Sequence, residues 1–365
     1  MSIALQKTIT LLLLILLGML IRGRFKHASA ISGIKEVILT IALPSTIFIA
    51  LMKVEMDAAM IIVPLMTLMF NLLLFFTVPL FFPFLGLEKN SPTGRTLMML
   101  IPSLAPGLSC FPFVAEFLGQ KSLAMAALAD VGNKFFVLIF LYVVALNMFL
   151  ANGALEKINF SSRLKKLLAN LVKEPVNVLI IVAITLLALG LNYTTLPAVI
   201  TDLMDKTSAM MTPLVLIFIG LAVQLKESRK KLVVSVLFLR AGITMIISCL
   251  VITLLHITQP NMALLAVVLP LSSASFWPLA HISAFNDRED QRGLSQERRT
   301  FDLELAVLIL SFSLPFSTVL ILGILSAGTF FVHPLVLLVG GLALILLGAI
   351  PYIRNYSHRF SRSVR

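Results

Sequence analysis

The chain of 365 residues is 59% hydrophobic and 13% charged, with a mean hydropathy of +1.02, which excludes an ordinary soluble domain and points to an integral membrane protein with many spans. Its formal net charge of +12 is no nucleic-acid footprint, because the basic residues fall in the connections between apolar segments. The two cysteines, Cys110 and Cys249, both sit in apolar segments, offering no disulfide framework and no metal-ligand spacing, so they read as packing residues.

A crossing helix needs about 20 mostly apolar residues. Windows of that length predict spans at 5–22, 32–52, 58–86, 97–118, 122–150, 174–192, 207–225, 232–256, 261–283, 302–326 and 333–353. The first is followed by Ala28-Ser29-Ala30, which is similar to a signal-peptidase site, but the positive charges follow the apolar run instead of preceding it, so a retained helix is expected. The second carries Leu43-Pro44-Ser45-Thr46, the fourth Pro102, Pro106 and Pro112, and the fifth Asp130, Asn133 and Lys134. A basic, amphiphilic stretch at 151–173 separates five spans from the next five. The seventh span carries Thr212-Pro213-Leu214, the ninth Pro270 and Pro278, and the tenth is rich in serine around Pro315. No soluble domain fits between the spans.

Lys and Arg gather in alternate connections: Arg22, Arg24 and Lys26; Lys89 and Arg95; Lys157, Arg163, Lys165, Lys166 and Lys173; Lys226, Arg229, Lys230 and Lys231; Arg288, Arg292, Arg298 and Arg299; and Arg354, Arg359, Arg362 and Arg365. The opposite connections hold only Lys7, Lys53, Lys121 and Lys206. The positive-inside rule then predicts an outside amino terminus and a cytoplasmic carboxyl terminus in a cell (inner or plasma) membrane, with the basic tail against anionic lipid. That arrangement requires an odd number of spans, which supports an eleventh helix.

A proline within a helix removes a hydrogen bond, and in lipid the freed groups need protein or a polar cavity. The clustered prolines of the fourth and ninth spans therefore predict broken helices. Pro213 follows Pro44 by 169 positions and Pro278 follows Pro112 by 166. A nearly constant offset argues for an internal repeat. With five spans per half, the repeats are inverted, and their broken helices cross near the midplane. The expected fold is an all-α polytopic membrane protein: residues 1–151 a first five-helix repeat, 152–173 a cytoplasmic linker, 174–326 a second inverted repeat, and 327–365 an extra transmembrane helix with a basic tail.

Lys134 lies near the middle of its span, where a lone lysine costs about 2.5–3.5 kcal/mol on insertion scales. Asp130 stands one turn earlier in the favourable acid-before-base order. Such a pair serves either as a structural tie or as a site that couples protons or holds an anionic substrate. Ser103, Gly107 and Ser109 line the first break, and Ser272, Ser273 and Ser275 the second. There, half-helix amino termini offer N–H groups to a carboxylate, although serines in membrane helices equally serve packing and interhelical bonding. Asn133 offers an amide for a cation or ligand. Glu116, at the outer end of the fourth span, and His281, at the end of the ninth, are candidates for gating or coupling. Trp277 reads as a packing or interfacial anchor, Arg240 as a residue that pairs or snorkels, and Asp302 and Glu304 as solvated carboxylates.

The order of several motifs resembles the auxin efflux carrier family of permeases, relatives of the bile acid sodium symporters and sodium/proton antiporters. The resemblance covers residues 5–326. It rests on Leu17-Gly18-Met19-Leu20-Ile21-Arg22, Ile41-Ala42-Leu43-Pro44, Cys110-Phe111-Pro112-Phe113-Val114-Ala115 ahead of Gly119, Pro213 to Gly220, Pro270 with Ala280, and Leu310-Ser311-Phe312-Ser313-Leu314-Pro315. It implies the inverted-repeat fold and transport, and raises Asn133 as a ligand. Three features differ: Ala105-Pro106 stands where the family usually has Gly-Asn, Asn133-Lys134 replaces an Asn-Asn pair, and the eleventh helix is additional.

The functional expectation is a secondary transporter moving a small organic anion by alternating access, driven by a proton or sodium gradient or by the substrate's own. An inorganic cation/proton antiporter on the same fold is the alternative, and a membrane sensor or assembly component without transport is a third. No Walker loop, metal-ligand spacing or nucleophile-base arrangement is present, so neither an enzyme nor a resident cofactor or metal is expected. Expected partners are the anionic substrate, the bilayer and, left open, further copies of the chain.

Overall fold

The computed structural model describes residues 3–25, 27–54, 58–152, 160–222, 229–295 and 298–363. Helices dominate, and no strand occurs among the described residues. In chain order they are α1 Ile3–Ile21, α2 Ala28–Val37, α3 Leu43–Met52, α4 Ala58–Thr77, α5 Pro92–Leu100, α6 Pro106–Ser109, α7 Phe111–Phe117, α8 Gly119–Phe135 and α9 Leu141–Ala151. The second half continues with α10 Phe160–Lys173, α11 Pro175–Ala188, α12 Ala198–Ala209, α13 Met211–Ala222, α14 Lys230–Leu254, α15 Pro260–Val268, α16 Phe276–Gln291, α17 Leu303–Ala327 and α18 Pro334–Ser363. Single π-helical turns at Ile38–Ala42 and Phe136–Phe140 join α2 to α3 and α8 to α9 into continuous rods.

Among the described residues, 8 helices are long and apolar enough to cross a membrane, and up to 9 if α10 and α11, bent by 64°, form one span. The chain is thus an all-α polytopic membrane protein. The windows at 97–118 and 261–283 correspond to α5–α7 and α15–α16, where unwound segments prevent one continuous rod. Elsewhere the boundaries shift for local reasons. The third helix ends at Thr77, because Pro79 and Pro83 withhold the N–H groups a continuing helix needs and leave short 3-10 turns. The seventh begins earlier, at Ala198, on a polar turn that carries Asp202 and Asp205. In the ninth, α16 runs on to Gln291, so His281 lies within the helix and not at its end. Part of the linker expected at 152–173 is the amphipathic α10, whose Leu167 is buried; residues 153–159 lie outside the described residues.

Buried side chains form two apolar clusters. One gathers α3, α7, the first half of α8, α11, α13 and α15; the other gathers the end of α4, α5, α9, α16 and the first turns of α17. The chain passes from one cluster to the other at both breaks, which places the breaks at the boundary between the two layers. Helix contacts are close where glycine permits them. A Cβ on Gly132 of α8 would stand 1.9 Å from the Pro64 carbonyl oxygen of α4, and one on Gly242 of α14 would stand 2.4 Å from the Gly341 oxygen of α18. Small residues of this kind hold membrane helices together by close backbone approach, and they fix α18 on α14.

Candidate functional site

Ser91 caps α5 by accepting the Gly94 N–H, and Pro92 occupies the first helical position. After Leu100 the chain unwinds through Pro102 and resumes at Pro106, the first residue of α6, and again with Pro112 in the first turn of α7. The second break follows the same logic. Pro270 lies in the unwound stretch, and Pro278 lies in the first turn of α16, where a missing N–H costs nothing. Pro106, Pro112 and Pro278 therefore mark where helices restart, and Pro102 and Pro270 lie just past where the preceding helices end.

The two breaks bind each other. The Ala105 N–H donates to the Ser273 carbonyl at 2.8 Å, the Ser273 N–H to the Ser109 hydroxyl at 2.8 Å, and the Ser275 N–H to the Ser103 hydroxyl at 3.0 Å. The Ser103 and Ser109 hydroxyls donate in turn to the carbonyls of Leu100 and Ala105. Ser275 caps α16 through the Trp277 N–H, and the Ser272 hydroxyl returns to the Leu269 carbonyl. The Ser273 hydroxyl has no hydrogen-bond partner among the described residues. Gly107 allows close packing, since a Cβ there would lie 2.8 Å from Leu43 Cδ2.

Beside the first break lies a buried polar chain. Asn133 pairs with Leu104 as a peptide would, accepting its N–H at 3.2 Å and donating to its carbonyl at 2.9 Å. Its amide also donates to Asp130 at 2.8 Å and accepts from Asn71 of α4 at 3.1 Å. Every hydrogen-bonding position of Asn133 is thereby engaged, so it acts as a strut for the break and not as an open ligand. Asp130 lies 3.3 Å from Lys134, as its i,i+4 spacing required. Lys134 has a second carboxylate partner in Glu174 at 2.9 Å, and it donates to Asn177 at 3.3 Å. Pro175 starts α11 directly after Glu174, and the bend between α10 and α11 carries this carboxylate to Lys134 at the end of α8, midway along the α8–α9 rod. Side-chain exposure is 8% for both Asp130 and Lys134 and 25% for Glu174. Asn177 also lines an open, largely apolar cleft of about 620 Å³ between α4, α8, α10 and α11.

Arg240, in the middle of α14, is 3% exposed. It neither snorkels nor pairs with an acid among the described residues. Its Nε donates to the Ile101 carbonyl at 2.8 Å and its Nη2 to the Ser103 carbonyl at 3.1 Å. The second break is braced differently, with the Ala274 N–H donating to the Ser313 hydroxyl of α17 at 3.2 Å.

The remaining candidates lie apart from the polar chain. Half-buried Glu116 receives the Lys7 ammonium on its backbone carbonyl at 2.5 Å, not on its carboxylate. His281 is buried against the fifth span, with Nε2 3.0 Å from the Val137 carbonyl and its ring 5.4 Å from Tyr142. Trp277 packs against the second apolar cluster. Asp302 caps α17 and pairs with Arg229 at 2.5 Å, so it is not merely solvated. Residues that the sequence reading passed over are Glu174, Asn177, Asn71 and Glu289, the last buried and holding the Thr300 N–H and hydroxyl. Asn71 did carry a signal, being an amide within an apolar run. No protein-family model matches the chain, and no curated protein matches it.

Proposed function

We propose that this chain is a proton-coupled secondary transporter of small organic anions, built as two inverted five-helix repeats with an added C-terminal helix, in the manner of the auxin efflux carrier family. The observation that carries this reading is the meeting of two unwound helix segments beside a largely buried cluster of two carboxylates and one lysine. Backbone is left irregular inside a membrane protein where it serves a cavity or a site. The repeat is supported by equivalent contacts: Ser103 to Leu100 and Ser272 to Leu269 lie 169 positions apart, the offset that also relates Pro44 to Pro213. The side chains of Asn133 and Ser313 likewise each receive a backbone N–H from their break. The distribution of basic connections supports an outside amino terminus.

With all three groups ionised, Asp130, Lys134 and Glu174 carry one net negative charge. A cluster of that sign in an apolar setting favours taking up a proton. Protonating Glu174, the most exposed of the three, weakens its hold on Lys134 and frees the ammonium for a substrate carboxylate. The two helical bundles then rock about the crossing to present the site to the other side. The same acid excess favours a second reading, in which an inorganic cation and a proton exchange at the two carboxylates.

Liposomes containing the purified protein and an entrapped pH dye separate these readings. Potassium salts of small carboxylates should acidify the lumen faster than in protein-free liposomes, and one carboxylate class should stand out. Proton movement on adding NaCl or KCl alone would instead identify cation/proton exchange. The absence of proton movement with every salt would leave a membrane sensor or assembly component.

A further inference from the structure

We propose that Arg240 is a resident cation filling the carbonyl site of the first break, where a membrane transporter otherwise places an alkali ion, and that it makes the crossing independent of sodium. Unwound carbonyls and half-helix carboxyl ends are ligands for Na⁺ in such breaks. Here the Ile101 and Ser103 carbonyls are held by the guanidinium. Their neighbours have other donors: Leu100 takes Ser103, Leu104 takes Asn133, and Ala105 takes Ser109. The negative end of α5 thus meets a fixed positive charge, and no carboxylate pairs with it among the described residues.

A buried guanidinium without a carboxylate is expensive, and a well-packed apolar side chain would cost less. Its presence is accounted for if the carbonyls need a cation. The position 169 residues earlier is Asn71, whose neutral amide turns to Asn133 and not to a break carbonyl. At the second break, the Leu269 carbonyl takes the Ser272 hydroxyl and the Ala274 N–H meets the Ser313 hydroxyl, both neutral groups. The guanidinium of the first break thus stands where the second uses hydroxyls. This inference deepens the transporter reading in one respect, since a cation that cannot leave stores no sodium gradient and leaves the proton as the coupling ion.

The test is thermal unfolding of the purified full-length protein in detergent, in NaCl and in N-methyl-D-glucamine chloride at equal ionic strength, for the wild type, Arg240→Met and Arg240→Lys. The wild type should melt at the same temperature in both salts. Arg240→Met should melt lower in N-methyl-D-glucamine and recover in part with NaCl or with a low, non-denaturing concentration of guanidinium chloride. Arg240→Lys, which keeps the charge, should remain sodium-insensitive, and it decides the matter if the Met variant cannot be purified. A wild type stabilised by sodium, a Met variant as stable as the wild type or unresponsive to both cations, or a sodium-responsive Lys variant would each overturn the proposal. A protein that passes this test yet moves no protons in liposomes keeps its resident cation and loses the transporter reading.

Discussion

The break after α5 and the break after α15 make the same first turn, a serine returning its hydroxyl to the leucine three residues before it at the helix end, and then diverge. The first is braced from two sides by Asn133 and Arg240, which between them hold the Leu104 N–H and three of its carbonyls. Among the described residues, the second is held by its own serines and by one hydroxyl from a neighbouring helix, that of Ser313, apart from its contacts with the first break. Two segments of one geometry thus have unequal rigidity. The densely bonded break suits a fixed frame around the charged cluster. The lightly bonded one, with the Ser273 hydroxyl unengaged, suits the part that must rearrange when a ligand enters.

Variants should expose this inequality in unfolding measurements, beginning with the charge cluster beside the braced break. Lys134→Ala leaves the buried Asp130 and the part-buried Glu174 without the cation between them and should cost about 3 kcal/mol. Adding Asp130→Leu and Glu174→Leu to a Lys134→Leu background should recover most of that loss. Gly132→Ala comes next: its Cβ would meet the Pro64 backbone oxygen at 1.9 Å, and forcing α8 from α4 should cost about 3 kcal/mol. On the other wall, Gly323→Ala of α17 meets nothing within 4 Å and should change stability by less than about 0.5 kcal/mol. Equal losses at the two glycines would remove the contrast between the walls.

The struts give a smaller but more direct comparison. Asn133→Ala strands both backbone groups of Leu104 and should cost about 2–3 kcal/mol, whereas Ser313→Ala strands a single N–H and should cost about 1 kcal/mol. Among the serine and asparagine struts the smallest effect belongs to Ser272→Ala, which removes one bond to Leu269 and should cost about 1 kcal/mol or less. Ser103→Ala should exceed it, because the Ser275 N–H also loses its acceptor.

Local spacing made part of this site legible in the sequence. Prolines mark the restarts of α6, α7 and α16, and an acid four residues before a lysine on a helix must meet it. What escaped was contact between distant segments. Glu174 lies at the edge of an apolar window, where a carboxylate reads as interfacial, and only the bend before Pro175 turns it onto Lys134. Arg240 was visible as a charge within a span, but its partners are backbone carbonyls, which have no letter in the sequence. Asn133 was noticed for its side-chain chemistry, and the same four hydrogen-bonding positions that suggested a ligand are spent on Leu104, Asp130 and Asn71.

The central claim is that the buried Asp130, Lys134 and Glu174 cluster couples proton movement to anion transport. It is tested most directly by carboxylate-driven acidification of liposomes carrying equal amounts of wild type, Lys134→Gln or Asp130→Asn protein. The account predicts that both variants, folded and inserted, fall to the protein-free rate. Acidification at the wild-type rate in either variant would contradict it.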